Sequence, residues 1–432
     1  IREDILTGAL QPGEKLPSKR ALASNLEVGK TTVEGAYNQL LEEGYISSRE
    51  RSGYFVEAVE QRQAPRPASR YPFPGPEAPA GADLTGNGTG QFPFSIWIRL
   101  QREVILDYGQ KLLLPMDSRG ALEARQAIAR SLSDFRGMDV DPENILLGAG
   151  TDFLYNLLLQ LLGQDKVYAV EDPGYGKIRK IYAAGGVTCL SVPMDASGIR
   201  PDCLGDARVL HLSPAHHFPT GLVTPLHRRR ALIDWAQRVD GFIIEDDYDT
   251  EFRFQGRPLA PMQTMDPERV IYMNTFSKTL SPSIRISYMV LPQALMARFR
   301  EKLGFYGCTV PSFEQYTLAY FLDRGYFEKH INRMRKFYRA RRNRVIAMLE
   351  HCPAADKLTI LEQDAGLHFL LKVETALDDR ALTALFAQSG LHVQPLSSFY
   401  TRQTDDCQGM LVINYSAVEE QALEAGLEKL IL

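Results

Sequence analysis

The sequence predicts an α/β chain in two bodies. The first is a small unit of helices closed by a β-hairpin. The second is large and built on a mostly parallel sheet, with a small α/β subdomain at its C-terminal end. Three observations predict this. Helical apolar spacing over residues 1–44 gives way to two short β-rich runs at 45–56. A proline-rich stretch poor in periodic apolar residues follows at 57–82. From about Ala121 to Val290, helical patterns alternate with short apolar runs, the mark of a sheet packed between helices.

At 432 residues the chain is too long for one ordinary domain. Its 44% hydrophobic and 24% charged residues are those of a soluble globular protein. No apolar run approaches the ~20 residues of a membrane span, so no membrane partner is expected. The cysteines (189, 203, 308, 352 and 407) are scattered. They show neither disulfide nor metal spacing, which predicts reduced thiols in a cytoplasm and no metal. A net charge of −4 does not announce a nucleic-acid partner. The chain opens on Ile1 rather than methionine, so some native N-terminal sequence is expected to be missing.

In the first body, residues 1–56, Ile1, Ile5 and Leu6 share one helical face, and Gly8 and Pro12-Gly13 end it. Ser18 is placed to cap a second helix whose apolar face is Leu22, Ala23 and Leu26. Val33, Ala36, Tyr37, Leu40 and Leu41 form the face of a third helix, which Gly44 terminates. Tyr45–Arg49 and Gly53–Val56 read as paired strands. Helix, turn, helix, hairpin is the winged-helix order. The run Pro12 to Ala23, with Thr32-Val33 and Glu43-Gly44-Tyr45-Ile46, resembles the GntR-type winged-helix domain. In that geometry the third helix enters the major groove by its first turn. The expected DNA-binding residues are Lys30, Thr31 and Thr32 on that turn, Ser18, Lys19 and Arg20 at the second helix, and Arg49 and Arg51 on the wing. Acidic residues outnumber basic ones across this body, but nearly all the bases fall on the expected DNA face.

Residues 57–82, rich in proline between Gln61 and Pro76, read as a semi-stiff extended tether. The second body is then 83–432. Gly120 to Ser131 is a helix, and Asn144 to Gly148 a strand leading through Gly150-Thr151 into an apolar helix, Phe153 to Leu162. Such a turn at a helix N-terminus is a phosphate seat. Val167 to Val170 and Val209 to Leu212 are further strands, the first followed by Tyr175 and the second by the run His216 to Gly221. Val239 to Ile244 is a buried strand that stops at Glu245-Asp246-Asp247-Tyr248. Leu318 to Leu349 reads as a long arginine-dense helical stretch with most of its arginines on a solvated face, and Leu358 to Leu432 as the small subdomain.

Between those elements lies Asn274-Thr275-Phe276-Ser277-Lys278-Thr279-Leu280, with Arg285 seven positions after the lysine. A lysine amine forms a Schiff base with an aldehyde, an aspartate holds a pyridinium nitrogen, and hydroxyls with an arginine hold a phosphate. The segment resembles that of fold-type I pyridoxal-phosphate enzymes, the aminotransferase family. The resemblance implies that Lys278 carries the cofactor, Asp246 faces its ring nitrogen, and Tyr175 stacks on the ring. It gives the phosphate to Gly150, Thr151, Thr275, Ser277 and Arg285, and the phenolic oxygen to Tyr248, alone or with His216 or His217. Phe218 stands where aminotransferases usually have an asparagine.

A GntR-type winged helix tethered to an aminotransferase-like domain is the layout of MocR-type transcriptional regulators. The strings His216 to Gly221, Glu245 to Asp249 and Phe276 to Leu280 resemble that family in particular. The resemblance implies a cytoplasmic bacterial regulator that binds operator DNA and pyridoxal 5'-phosphate as a head-to-tail homodimer. Its effector is expected to be the cofactor, an amine or an amino acid. Two departures bear on chemistry. Val412 stands about where a carboxylate-clamping arginine is usual, and Pro115 near the place of a phosphate-reaching tyrosine. Both favour sensing over transamination, with Lys177 or Arg179 left to grip an anionic ligand; the alternative is an active aminotransferase.

Overall fold

The computed structural model describes residues 1–50, 52–58, 81–86, 88, 91–254, 260–362, 364–402 and 407–431. Most of the expected tether and Arg51 lie outside these. The chain divides into two compact units, Ile1–Ala78 and Pro79–Leu432.

The first unit holds α1 (Arg2–Leu6), α2 (Lys19–Asn25), α3 (Lys30–Glu42), β1 (Ile46–Arg49) and β2 (Gly53–Val56). Ser18 caps α2, its Oγ accepting from the Ala21 N–H at 3.1 Å. The apolar stripe of α3 buries Val33, Tyr37 and Leu40 against Ile5, Leu16, Ala23, Ile46 and Val56. Tyr37 is fully buried; its hydroxyl donates to the Pro17 carbonyl at 2.8 Å and its ring meets Tyr54 edge-on. Strands β1 and β2 pair antiparallel, Ile46 opposite Val56, and form the wing.

In the second unit the elements run β3 (Ala82–Asp83), α4 (Phe94–Tyr108), α5 (Leu122–Arg136), β4 (Ile145–Gly148), α6 (Thr151–Leu162), β5 (Tyr168–Asp172) and α7 (Gly176–Ala184). Then come β6 (Cys189–Asp195), β7 (Gly198–Ile199), β8 (Val209–Leu212), α8 (Leu226–Arg238), β9 (Phe242–Asp247), β10 (Val270–Thr275) and β11 (Ser287–Val290). Last are α9 (Gln293–Lys302), α10 (Ser312–Asp323), α11 (Tyr326–His351), β12 (Leu358–Leu361), β13 (His368–Val373), α12 (Asp379–Gln388), β14 (Leu391–His392), β15 (Gln394–Pro395), β16 (Met410–Asn414) and α13 (Glu420–Lys429).

Eight strands form the central sheet in the order β4-β11-β10-β9-β8-β5-β6-β7. The run from β10 to β6 is parallel, and β11 is antiparallel to both its neighbours. Side chains alternate across it with the period of two that a strand imposes. Ile145, Leu147, Tyr272, Tyr288 and Val290 pack with α4, α5 and α10. Leu146, Ile271, Met273 and Met289 pack on the other face with α6, α7 and α9. The strands are apolar nearly throughout because both faces are covered. The small subdomain is a four-stranded sheet, β12-β13-β16-β15, backed by α11, α12 and α13.

The expected single helical stretch from Leu318 is two helices. Arg324 and Gly325 separate α10 from α11, and Gly325 takes a φ of 71° that a glycine adopts without strain. Of the arginines in this stretch, Arg324, Arg333, Arg339 and Arg344 are exposed as expected, while Arg335 and Arg341 are half-buried and Arg342 is buried. Arg335, Arg339 and Arg341 donate to the carbonyls of Glu251, Phe254 and Ser416. Arg344 forms a two-pronged pair with Glu420, both contacts at 2.7 Å. Several of these arginines thus hold packed loops, while the outer face of the helix stays exposed.

Candidate functional site

At the C-terminal ends of β5, β8, β9 and β10, where ligands sit in open α/β sheets, a chamber of about 260 Å³ opens. Its walls bring together Lys278, Asp246, Tyr248, Tyr175, Thr151, Thr275, Ser277 and Arg285, residues spread over more than 130 positions of sequence.

Asp246 is the penultimate residue of β9, where the strand emerges from the core, and is 6% exposed. Tyr155 of α6 donates its hydroxyl to Asp246 Oδ2 at 2.5 Å. His211 of β8 brings its Nε2 to 3.5 Å from the same oxygen, and its Nδ1 lies 2.6 Å from the Tyr182 hydroxyl. Among the described residues, Asp246 Oδ1 has no hydrogen-bond partner. A buried carboxylate oxygen without a donor costs free energy until a ligand supplies one. Sequence reasoning missed Tyr155 and His211. Both sit on core elements and carry no local signal.

Lys278 follows β10 in the turn Phe276–Leu280. Burial holds its ammonium below the ordinary lysine range, and the nearby Asp249 charge opposes that shift. Arg285, seven positions on, is not among the causes of that shift. That guanidinium donates to the Ala149 carbonyl at 3.2 Å and lies 3.8 Å from Asp152.

Arg285 and Gly150 together shape a cradle. Gly150 precedes α6 at a φ of 91°, and a Cβ there would stand 2.1 Å from Arg285 Nη2. The first-turn N–H groups of α6, with Thr151, thus share one corner with a guanidinium. Ser277 lies beside it, tied to Thr275 by a 3.0 Å hydroxyl–hydroxyl bond, while Ser287 donates to Thr275 at 2.8 Å.

Tyr175 stands at the mouth, 49% exposed, its ring edge-on to Phe218. Tyr248 lines the chamber, but His216 does not. Asp249 draws it back: His216 Nδ1 lies 3.0 Å from each Asp249 oxygen and 3.4 Å from the Tyr248 hydroxyl. Gly366 leaves the room that ring needs, since a Cβ there would fall 1.9 Å from His216 Cε1. His216 therefore reaches the chamber through Tyr248 and Asp249 rather than directly. His217 is buried apart, its Nδ1 2.7 Å from Thr220 Oγ1, and burial pushes its pKa down to about 3.

Val412 is buried in an apolar patch with Leu370, Leu396 and Phe399, and Phe218 packs on it. Val412 itself does not line the chamber; of this patch Phe218 does, and it offers hydrocarbon, not charge. Lys177 and Arg179 of α7 do line the chamber, but both are engaged. Lys177 meets Asp152 at 2.6 Å, and Arg179 bonds Thr401 beside Asp172.

In the first unit, Ser18, Arg20, Lys30, Thr31, Thr32 and Arg49 are exposed, and Lys19 is half-buried. Lys19 leans over the Tyr54 ring and Arg49 over the Phe55 ring, which fixes the stems and leaves the charges outward. Lys30 is 3.8 Å from Glu34, an exposed pair of the kind that yields readily to a phosphate.

Residues 1–56 match the family described as bacterial regulatory proteins, gntR family, and residues 83–430 match aminotransferase class I and II. An uncharacterized HTH-type transcriptional regulator of Bacillus subtilis, YdeL, is 36% identical, over 100% of this chain and 94% of its own length. The probable rhizopine catabolism regulatory protein MocR of Rhizobium meliloti is 31% identical, over 100% of this chain and 91% of its own length. The kynurenine aminotransferase of Pyrococcus horikoshii superposes with a TM-score of 0.70 at 24% identity, covering 82% of this chain and 90% of that one, a likeness of fold. With both domains present in that order and full-length relatives above 30% identity, the chain belongs to the MocR-type transcriptional regulators, which join a GntR-family domain to an aminotransferase class I and II domain.

Proposed function

We propose that this regulator binds operator DNA through its winged unit and holds pyridoxal 5'-phosphate in the chamber of its large unit, where the cofactor or an amine reacting with it is the signal. The observation that carries this is Asp246 Oδ1, a partnerless buried acceptor in the same chamber as a lysine whose ammonium is disfavoured by burial. A protonated ring nitrogen satisfies that oxygen by a charge-assisted hydrogen bond. The Gly150–Thr151 turn and Arg285 suit the phosphate, and Tyr248, backed by His216 and Asp249, suits the phenolic oxygen. Bound there, the group supplies an aldehyde that condenses reversibly with amines. The chain's own residues then do three things. Asp246 keeps the ring nitrogen protonated, Arg285 fixes the phosphate end, and Lys278 in its neutral form is both nucleophile and proton acceptor.

Sensing is favoured over group transfer by Val412, which offers no cation for an α-carboxylate. Winged-helix geometry supports DNA contact through Lys30 to Thr32, Arg20 and Arg49. A cytoplasmic location suits such a role; among the described residues no helix is long and apolar enough to cross a membrane. Phe94, Ile98, Leu106, Leu113 and Leu114 are exposed on and after α4, an apolar surface that a head-to-tail homodimer would cover. In this reading residues 57–82 tether the two domains.

Protein incubated with pyridoxal phosphate should show a visible absorption band that Lys278→Ala abolishes; wild-type protein without the band refutes cofactor binding. The complete Asp246–Lys278 pair also keeps the aminotransferase alternative open. Rapid keto-acid release from added amino acids would favour it, and a bound amine that is not turned over favours the sensor.

A further inference from the structure

A second chamber of about 220 Å³ lies in the large unit, back to back with the first. The two share walls, because the chain leaving β9 and the chain leaving β10 each line both. Asp246, Tyr248 and Asp249 line the front chamber, while Thr250 and Glu251 line the rear. Thr275, Ser277 and Lys278 face the front, while Asn274, Phe276 and Thr279 face the rear. Helices α5 and α11 close the rear chamber with Arg136, Phe327 and Arg335.

Three polar atoms of this lining are buried without a partner among the described residues: Arg136 Nε, Thr250 Oγ1 and Glu251 Oε2. Thr250 is 6% exposed and the Arg136 side chain 7%. The rest of each acidic and basic group is engaged. Arg136 Nη2 bonds Asp247, Asn274 Nδ2 donates to Glu251 Oε1 at 3.3 Å, and Arg335 donates to the Glu251 carbonyl at 2.5 Å. Natural structures leave few such atoms unsatisfied, and a pocket that gathers several converging polar groups among aromatic walls is the form of a ligand site. Phe276, Tyr288 and Phe327 supply those walls. The orphaned carboxylate oxygen calls for a strong donor, and aromatic faces favour a cation. The orphaned guanidinium N–H calls for an acceptor on the same molecule.

We infer that the rear chamber is a second small-molecule site, for a compound carrying a cationic amino or guanidino group with an acceptor oxygen a few bonds away. Because Phe276 and Thr279 flank Lys278 in one turn, its occupancy also bears on the lysine segment. The site does not depend on cofactor in the front chamber.

The test uses full-length protein and 4-guanidinobutyrate, whose guanidinium does not condense with aldehydes. Calorimetric titration should show saturable binding to wild type and equally to Lys278→Ala, weaker binding of butylguanidinium, and none of butyrate. Glu251→Gln and Ser131→Leu, the latter filling the chamber from its rim, should each weaken binding at least tenfold. Should Glu251→Gln fail to fold, Ser131→Leu carries the test, since Ser131 is half-exposed on α5. No saturable binding to wild type overturns the proposal. So does binding that Ser131→Leu leaves intact, or that Lys278→Ala abolishes, since the probe would then sit elsewhere. Cofactor affinity unchanged by saturating probe overturns the link to the lysine segment.

Discussion

Replacing Asp246 by asparagine separates what the residue does for the fold from what it does for a ligand. The substitution keeps the shape and leaves an oxygen to accept from Tyr155, which now bonds Oδ2 at 2.5 Å. It removes a buried carboxylate whose Oδ1 has no donor. Without cofactor, the protein therefore sheds an uncompensated buried charge, and its Tm should stay level or rise. With cofactor the sign reverses. A hydrogen bond to a charged partner contributes about 1.5–3 kcal/mol, and the asparagine amide would present a donor to a protonated ring nitrogen. At about 1.36 kcal/mol per tenfold, pyridoxal phosphate should bind roughly 10- to 150-fold more weakly. Absorbance titration measures the affinity, and thermal unfolding of the cofactor-free protein measures the stability. The reasoning is refuted if affinity changes less than threefold, or if the cofactor-free variant melts well below wild type.

Gly150→Ala should drive a methyl into Arg285, weakening binding of pyridoxal phosphate at least tenfold while leaving pyridoxal little changed, as competition titrations will show. The Lys278 ammonium is depressed by burial, so the folded protein binds fewer protons than the unfolded one between its lowered value and about 10.5, and stability rises with pH in that window. Lys278→Met should therefore raise the Tm of cofactor-free protein at neutral pH, with the gain shrinking as pH rises toward 10.5. Arg136→Met should cost about 3–5 kcal/mol by leaving Asp247 buried without its cation, read from urea unfolding. In the winged unit, Lys30→Ala should lower the slope of log affinity for operator DNA against log salt by about 0.9 if the lysine meets one phosphate.

The elements that carry local signals were legible. The Ser18 cap, the Val33–Tyr37–Leu40 stripe and an apolar strand running into Glu245-Asp246-Asp247 are where spacing and turn chemistry put them, though that strand begins at Phe242 and runs on to Asp247. The line of Lys278, Asp246 and Arg285 was legible because each residue type answers one need of a single cofactor. What was not legible is set by contacts between distant residues. Tyr155 reaches Asp246 across 91 positions, and nothing in an apolar helix marks one tyrosine as a hydrogen-bond donor to a strand end. His216 read as a chamber residue because its neighbours in sequence are; only Asp249 and Gly366 show why the ring turns away. Most arginines of the 318–349 stretch are exposed as their charge density suggests, but that density does not show that Arg335, Arg339 and Arg341 also hold the carbonyls of packed loops. The rear chamber needs Arg136, Glu251 and Phe327, which three separate elements bring together.

The central claim is that the large unit governs the small one through what occupies the Lys278 chamber. It is tested by operator-fragment affinity at fixed salt for cofactor-free protein, for protein with pyridoxal phosphate, and for that protein with candidate amines. A ligand shifts such an equilibrium only by its differential affinity for the two states, and couplings of about 1–3 kcal/mol are typical. The account predicts a change in DNA affinity of roughly 5- to 150-fold on filling the chamber, lost in Lys278→Ala. Equal affinities in every state would contradict it.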